Sequence, residues 1–94
     1  MPHLPSLTAL RALEAAARLG SFTKAGGELG VSSAAVGLQV RVLEEHFGKQ
    51  LFLRHGNRLT FTDAGRVIQP GLDLAFSEIA ALAGDLGAGA AGKG

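Results

Sequence analysis

Two helical hydrophobic patterns between residues 21 and 48 are separated by only three residues, Gly30-Val31-Ser32. Before this turn, apolar residues recur at helical spacing at Phe22, Ala25 and Leu29. After it, a spacing of 4, 3 and 4 residues predicts a buried stripe on a longer helix, at Val36, Val40, Leu43 and Phe47. Two amphipathic helices joined by so short a turn are typical of a helix-turn-helix.

The residues before this pair predict another helix, whose core-facing side is formed by Leu7, Leu10, Leu13 and Ala17. Ser6 is suited to cap its N-terminus, and Gly20 suits the left-handed conformation that ends a helix. Ser21 and Gly30 stand in the same relation to the second helix, and Gly48 ends the third. The chain therefore begins with three short helices.

Beyond Gly48 the hydrophobic period changes from that of a helix to that of strands. Residues 51–54 (LFLR) and 58–61 (RLTF) are short extended runs on either side of His55-Gly56-Asn57. Glycine beside asparagine favours a tight turn, so we predict a small β-hairpin here.

A long helix follows the hairpin, with Thr62 as its cap and Asp63 near the positive end of its dipole. Its apolar stripe extends over about three heptads and consists of Ala64, Ile68, Leu72, Ala75, Ile79, Leu82 and Leu86. Pro70 lies within this helix and should kink or loosen it. The end of the chain, residues 87–94, has no such periodicity and is expected to be flexible.

Composition excludes several classes of function. The chain has no cysteine, which excludes a disulfide, a thiolate metal site and a cysteine nucleophile. His3, His46 and His55 are isolated from one another, while Glu44 and Glu45 point to different sides of one helix. We therefore predict that the chain is not an enzyme and that it requires no cofactor and no metal.

Hydropathy and charge bear on location and partner. The N-terminus lacks the features of a signal peptide, and no apolar run approaches the roughly 20 residues that span a bilayer. A soluble cytoplasmic protein is therefore expected. The net charge is only +1, but residues 38–66 carry +2 whereas residues 67–92 hold three acidic residues and no basic one. This asymmetry indicates nucleic-acid binding only weakly, because a solvated surface gives the same pattern.

Several short motifs occur in one order along residues 4–82. They are Ala15-Ala16, Ser21-Phe22-Thr23, Ala25, Leu29, Val36, Gln39, Leu43-Glu44, Gly48, Leu51-Phe52 and Leu59 through Gly65. Together they resemble the N-terminal winged helix-turn-helix domain of LysR-type transcriptional regulators. The opening LPSLTALRALEAAAR, with Pro70 and Phe76, resembles the branch that contains glycine-cleavage and β-lactamase-gene activators.

This resemblance implies a role for each predicted element. The third helix would be the recognition helix, the hairpin the wing, and the last helix a linker helix through which two subunits dimerise by its apolar stripe. The fold class is then mainly α with a small β-hairpin: a winged helix-turn-helix over 1–61, a linker helix over 62–86 and a tail over 87–94. Family members continue into a large effector-binding domain that is absent here, so the chain is either a DNA-binding fragment or a short relative.

The resemblance also implies that the face of the third helix opposite its apolar stripe meets the major groove of DNA. This face carries Ser33, Ala34, Gly37, Leu38 and Arg41. Small residues let the backbone approach closely, and Ala34 and Leu38 offer apolar contact to thymine methyl groups. Family members frequently have serine at the position of Gly37 and a long polar or basic residue at that of Leu38. We therefore expect few hydrogen-bonded base contacts and more dependence on DNA shape.

Further predicted DNA contacts surround this face. Those on or near the second and third helices are Ser21, Thr23, Lys24, Ser32 and Gln39. The predicted contacts of the wing with the backbone and minor groove are Arg54, His55, Asn57 and Arg58. In a dimer, the two half-sites of an interrupted inverted repeat would lie about 34–36 Å apart, or a multiple of that.

Two other functions stay open at this point. The near-neutral charge and the apolar Leu38 fit a winged-helix module that dimerises and binds protein, and the chain could also bind DNA without sequence preference. The stripe of the last helix has an alternative too, because it could dock on its own domain. We favour a partner helix, since the stripe is longer than so small a core readily covers.

Gly26 and Gly27 both lie inside the predicted second helix, where a glycine costs about 1 kcal/mol relative to alanine. A small residue is needed where this helix crosses the third, and Gly26 occupies a position that the family usually fills with alanine. Nothing in the sequence explains Gly27, so the second helix is expected to be weak.

Overall fold

The structure is a computed structural model that describes residues 5–56 and 58–91, with side chains described up to residue 84. Its elements in chain order are α1 (Leu7–Leu19), α2 (Phe22–Leu29), α3 (Ser33–Phe47), β1 (Phe52–His55), β2 (Arg58–Phe61) and α4 (Asp63–Ala91). The predicted fold class, mainly α with a small β-hairpin, is confirmed. In the described part of the chain, no helix is long and apolar enough to cross a membrane.

Local hydrogen bonds set both ends of the first three helices. The hydroxyl oxygens of Ser6, Ser21 and Ser32 each accept a bond from the backbone N–H three residues further on, at 3.4, 3.2 and 3.1 Å. Each helix ends at a glycine with positive φ, and these are Gly20, Gly30 and Gly48. Because such signals act within a few residues, the predicted caps Ser6 and Ser21 and the predicted glycine ends are confirmed, and the structure adds Ser32 as the cap of α3.

The core lies where α1 packs across α2 and α3 and is closed by the hairpin and the start of α4. Its buried side chains are Ala9, Ala12, Leu13, Ala15, Ala16, Ala25, Val36, Val40, Leu43, Leu51, Phe52 and Leu72. The face predicted for α1 is partly wrong, because Leu7 is 60% exposed and Leu10 and Ala17 are only half-buried. The inward side of α1 is formed mainly by its alanines, which let the helix approach its neighbours closely, together with the buried Leu13.

The apolar stripe of α3 is buried over most of its length but not at its end. Val36, Val40 and Leu43 are buried as predicted, whereas Phe47 is 40% exposed. Phe47 is the last residue of α3, and its ring meets that of His46 edge-on at 5.1 Å between centroids. Periodicity therefore predicted the correct face, but not how far along it the neighbouring elements extend.

The two strands pair antiparallel, with Phe52 opposite Phe61 and His55 opposite Arg58. His55 thus belongs to β1 rather than to the turn, and Gly56 follows it with a φ of 63°. The N–H of Leu59 donates to the carbonyl of Gly20 at 3.2 Å, which ties the hairpin to the end of α1.

The last helix begins at its predicted cap, where the Thr62 hydroxyl accepts a bond from the N–H of Gly65 at 3.1 Å. It continues through Pro70 to Ala91, past the predicted end at residue 86. Residues 87–91 are helical, so the helix extends further than predicted, while flexibility of the tail stays a prediction and residues 92–94 lie outside the described residues. A bend at Pro70 stays a prediction.

The first half of α4 docks on its own domain. Leu72 is buried, and Ala64, Ile68 and Phe76 are partly buried against the core. The next three positions of the predicted stripe, Ala75, Ile79 and Leu82, are exposed. The side chain of Leu86 lies outside the described residues. The stripe thus divides into a covered first half and an uncovered second half.

Candidate nucleic-acid interface

An open groove lies between α3 and the hairpin, with the first turn of α2 at its side. Predicted DNA contacts from all three elements line it: Thr23, Ser33, Ala34, Gly37, Leu38, Arg41 and Arg54. We refer to it as the α3–wing groove. The fold thus collects residues that are far apart in the sequence on one surface of the domain.

The α3 face of this groove rests on a buried support. Ser33, Ala34 and Arg41 are exposed, and Leu38 is 59% exposed, while the stripe from Val36 to Leu43 on the other side of the helix is buried. Burial of that stripe fixes the orientation of α3. Leu38 therefore presents an apolar side chain outward from a rigid helix.

Three predicted contacts differ from the others in their surroundings. Ser21 is only 9% exposed and its hydroxyl caps α2, so little of it is accessible to DNA and its contact with DNA stays a prediction. Gln39 is half-buried and does not line the groove. Ser32 is exposed, but its hydroxyl already accepts a bond from the N–H of Ala35.

The wing residues lie on two faces of the hairpin. Arg54 lines the groove, whereas the next residue, His55, is on the opposite face and lies 3.1 Å from the hydroxyl of Thr60. Arg58 is directly opposite His55 and shares its face. Asn57 lies outside the described residues.

Glu44 joins α3 to the hairpin, a role that we did not predict. Its carboxylate accepts hydrogen bonds from the N–H groups of Leu51 at 2.8 Å and Phe52 at 3.4 Å. Nearby, the Thr62 hydroxyl donates to the Gln50 carbonyl at 2.6 Å. These bonds set the position of β1 beside α3. The sequence held one signal for this role, because Glu44 lies shortly before Gly48 and the start of the strand β1, whose N–H groups it binds.

Phe22 has a second role that was not predicted, since its position in the apolar pattern of α2 indicated only a core residue. It is partly buried, and its ring lies under the guanidinium of Arg54 at the edge of the groove. Helical periodicity identified its apolar face correctly. The contact with Arg54, across 32 positions of sequence, arises only when β1 folds back beside α2.

The turn between α2 and α3 requires one of the two α2 glycines. A Cβ at Gly26 would lie 2.5 Å from the carbonyl oxygen of Val31, which is closer than real Cβ atoms come. A Cβ at Gly27 would meet nothing within 4 Å. The close approach is therefore to the turn itself rather than to a crossing helix, and Gly27 has no steric reason to be glycine.

An ion-pair cluster joins α1 to α2 away from the groove. Arg18 pairs with Glu14 at 2.8 Å and also with Glu28. The hydrogen bond from Arg18 is the main reason that the pKa of Glu28 lies below its ordinary value, with further lowering by the charges of Arg18 and Arg11. All of these groups are at the surface, so the cluster contributes little to stability.

A helix that presents its exposed face beside a hairpin, and is fixed by two other helices behind it, suits insertion into the major groove. The fold and the groove place the chain among winged helix-turn-helix DNA-binding domains. Residues 7–66 match a family described as bacterial regulatory helix-turn-helix protein, lysR family. The chain belongs to this family.

Similar proteins support the same placement. Over 80 residues the chain is 50% identical to the HTH-type transcriptional activator AmpR of Providencia stuartii, covering 85% of this chain and 27% of AmpR. It is 53% identical over 66 residues to the carbapenem-hydrolyzing beta-lactamase transcriptional activator of Enterobacter cloacae, covering 70% of this chain and 22% of that activator. These relatives confirm the predicted branch. The chain spans less than a third of their length.

A solved protein–DNA complex has the same fold. The BenM_DBD/catB site 1 DNA complex matches with a TM-score of 0.78 and 26% identity, over 90% of this chain and 96% of that one. With the family match, it confirms that this chain is a LysR-type helix-turn-helix DNA-binding domain.

Proposed function

We propose that the chain binds double-stranded DNA sequence-specifically, with α3 in the major groove and the hairpin against the backbone and minor groove. One observation carries this proposal: the α3–wing groove brings Ser33, Leu38 and Arg41 of α3 to the same surface as Arg54 of the hairpin. An arginine at each side supplies phosphate contacts, and the small or apolar residues between them permit close approach to base edges.

Base readout is proposed to rest on apolar contact and DNA shape. Ala34 and Leu38 offer no hydrogen bonds, so thymine methyl groups are the features they distinguish best. Gly37, between them in sequence, adds no side chain to this face and packs beside the ring of Phe22. The hydroxyl of Ser33 and the guanidinium of Arg41 supply the hydrogen bonds of this face.

The active form is proposed to be a homodimer that forms through α4. Ala64, Ile68 and Leu72 pack on their own domain, so they are removed from the proposed contact. The large exposed apolar side chains among the described residues of α4 form what we call the outer α4 surface, which consists of Val67, Leu74, Ile79 and Leu82. Val67, Leu74 and Leu82 are spaced by 7 and 8 residues, which places them along one side of the helix, as in a pair of packed helices.

A symmetric dimer would place its two α3 helices on half-sites of an interrupted inverted repeat, about 34–36 Å or a multiple apart. Regulation of transcription, as in the activators named above, is part of the proposal, with the bacterial cytoplasm as the location. The rival function is a module that binds protein through the same winged fold.

The first test is selection of bound sequences from a random duplex pool at one salt concentration near physiological. We expect enrichment of an interrupted inverted repeat. Retention without enrichment would mean that the chain binds only the DNA backbone. If nothing is retained even at lowered salt, the protein-interaction function replaces DNA binding.

A matched pair of variants locates the interface. Arg41→Gln removes a cation in the groove, and Arg11→Gln removes an exposed cation of α1 outside it. If Arg41 contacts a phosphate, its loss lowers the slope of log affinity against log salt by about 0.9, while Arg11→Gln leaves that slope unchanged. Equal slopes for the two variants would mean that Arg41 does not contact a phosphate.

The dimer is tested by sedimentation at several micromolar concentrations. Leu82→Glu places a charge on the outer α4 surface and should convert the wild-type dimer to a monomer. Leu53→Glu is the matched control, since Leu53 is an exposed leucine of the hairpin, and it should leave the mass unchanged. A wild-type chain that stays monomeric at high micromolar concentration would exclude the homodimer.

A further inference from the structure

The ring of Phe22 lies at the junction of the elements that form the α3–wing groove. Phe22 is the first residue of α2, and its ring meets that of Phe52 in β1 edge-to-face, with 6.3 Å between centroids. A Cβ built on Gly37 of α3 would lie 3.4 Å from two of its ring carbons. The ring thus has close neighbours on both α3 and β1, which hold it in a defined place.

A third neighbour of this ring is the guanidinium of Arg54. Its central carbon lies 5.2 Å from the ring centroid, within the range of about 6 Å at which a cation is attracted to an aromatic face. The ion pairs found in the described part of the chain involve Arg18 and Arg66. In the described part of the chain, the partner that holds the Arg54 guanidinium is therefore the ring of Phe22.

An aromatic ring holds arginine differently from a carboxylate. A carboxylate accepts the N–H donors at the edge of the guanidinium and cancels its charge. A ring contacts the planar face instead, so the charge and the N–H donors at the edge stay available. Bidentate contact with a phosphate or a base edge uses those donors.

We propose that Phe22 is a positioning residue for Arg54: its ring holds the guanidinium inside the α3–wing groove, with the N–H donors free for DNA. This rests on the proposed function, because it describes how the wing reaches the nucleic acid. The restraint lowers the rotamer entropy that Arg54 loses on binding. Arg58 provides the contrast, since it lies on the other face of the hairpin.

The proposal is tested by a double-mutant cycle in the 94-residue chain. Phe22→Leu keeps an apolar side chain and removes the aromatic face; Arg54→Gln removes the cation. Affinity for a mixed-sequence duplex pool is measured over a series of salt concentrations. We expect Phe22→Leu to weaken binding roughly two- to five-fold in the wild-type background, the loss typical of an exposed cation–π contact, and not to weaken it further beside Arg54→Gln.

Arg58→Gln is the matched background, because it removes the same charge from the same hairpin. There, Phe22→Leu should cause the same loss as in the wild type. Phe22→Tyr retains an aromatic face and should restore affinity. If Phe22→Leu weakens binding equally beside Arg54→Gln and Arg58→Gln, Phe22 only supports the fold and the positioning role is excluded.

A second readout requires no DNA. Ring currents from Phe22 should shift the Nε–H resonance of Arg54 upfield of that of Arg58, and Phe22→Leu should abolish the shift while Phe22→Tyr keeps it. An unshifted resonance in the wild type would overturn the positioning role by itself. If the wild type fails to bind the pool at any salt concentration, the proposed function fails, and the positioning role fails with it. If the wild type binds and Arg54→Gln binds equally well, only the positioning role fails.

Discussion

The α3–wing groove and the second half of α4 expose leucines to a similar extent, but the two regions are supported differently. Leu38 in the groove is 59% exposed and Leu82 on α4 is 61% exposed. Leu38 stands on a helix whose other side is buried from Val36 to Leu43. Leu82 stands beyond Phe76, the last residue of α4 that packs against the core among the described side chains.

This difference indicates that exposure alone does not define a site. The groove is complete within one chain, because every helix that forms it is held by the core. Among the described side chains of α4 beyond Phe76 there is no such support from the core, and an isolated helix of that length is marginal in water. We therefore infer that the groove is fully formed within each subunit, whereas the outer α4 surface gains its stability from a second copy.

The largest expected effect separates the two regions by their dependence on concentration. Leu43→Ala empties a fully buried position below the groove and should lower the free energy of unfolding by about 2–5 kcal/mol at any protein concentration. Leu82→Ala should cost stability only at concentrations where the wild type is dimeric. Urea unfolding at two concentrations measures both. A concentration-independent loss for Leu82→Ala would contradict the assignment of that surface to a partner.

A second prediction sharpens the role of the groove. Leu38→Arg should change the preferred base at one position of each half-site by about 1–3 kcal/mol of discrimination, because arginine hydrogen-bonds guanine where leucine contacts a methyl group. Selection from a random duplex pool measures the change. Identical selected sequences for the wild type and the variant would mean that Leu38 does not face the bases.

A smaller effect concerns the helix at the side of the groove. Gly27→Ala should stabilise the domain by about 0.5–1 kcal/mol, since alanine favours the helix and a Cβ there meets open space. Gly26→Ala is the matched control and should destabilise, because its Cβ would press on the Val31 carbonyl. Thermal and urea unfolding compare the pair. A stabilising Gly26→Ala would show that the turn gives way readily.

The smallest effect is a pH dependence between α1 and α2. The pKa of Glu28 is lowered in the folded state, chiefly by the hydrogen bond from Arg18. Its stabilising contribution is therefore present above the ordinary glutamate pKa of about 4.3 and is lost as the pH falls through the lower folded value. The difference in melting temperature between wild type and Glu28→Gln should shrink from pH 6 to pH 3. A constant difference would exclude this linkage.

Much of the fold was predictable because its signals are local. The serine caps and glycine stops of α1, α2 and α3 act within a few residues, and the change to a strand period after Gly48 marked the hairpin. The groove residues of α3 were also predictable, because they lie on the face of the helix opposite its buried stripe. The cap assigned to Ser21 is confirmed, whereas its contact with DNA stays a prediction and is disfavoured by the burial of the side chain.

The tertiary structure decided features that depend on how far elements lie from one another. Alanines rather than Leu7 line the buried side of α1. Phe47 is exposed because it lies at the end of α3, beyond the part of the helix that its neighbours cover. The same reason divides the stripe of α4, since the core ends before the stripe does. The hydrogen bonds of Glu44 to β1 and the contact of Phe22 with Arg54 connect residues whose spacing in the sequence matches neither a helical nor a strand period.

The sequence by itself thus determined the order of the elements, the caps of the first helices and the inward face of α3 from Val36 to Leu43, since propensity, capping and periodicity are short-range. Only the tertiary structure decided which apolar residues are covered, where the wing lies beside α3 and that the Arg54 guanidinium lies over the Phe22 ring. Packing at a distance sets those properties: the same leucine is buried or exposed according to what the folded chain brings against it.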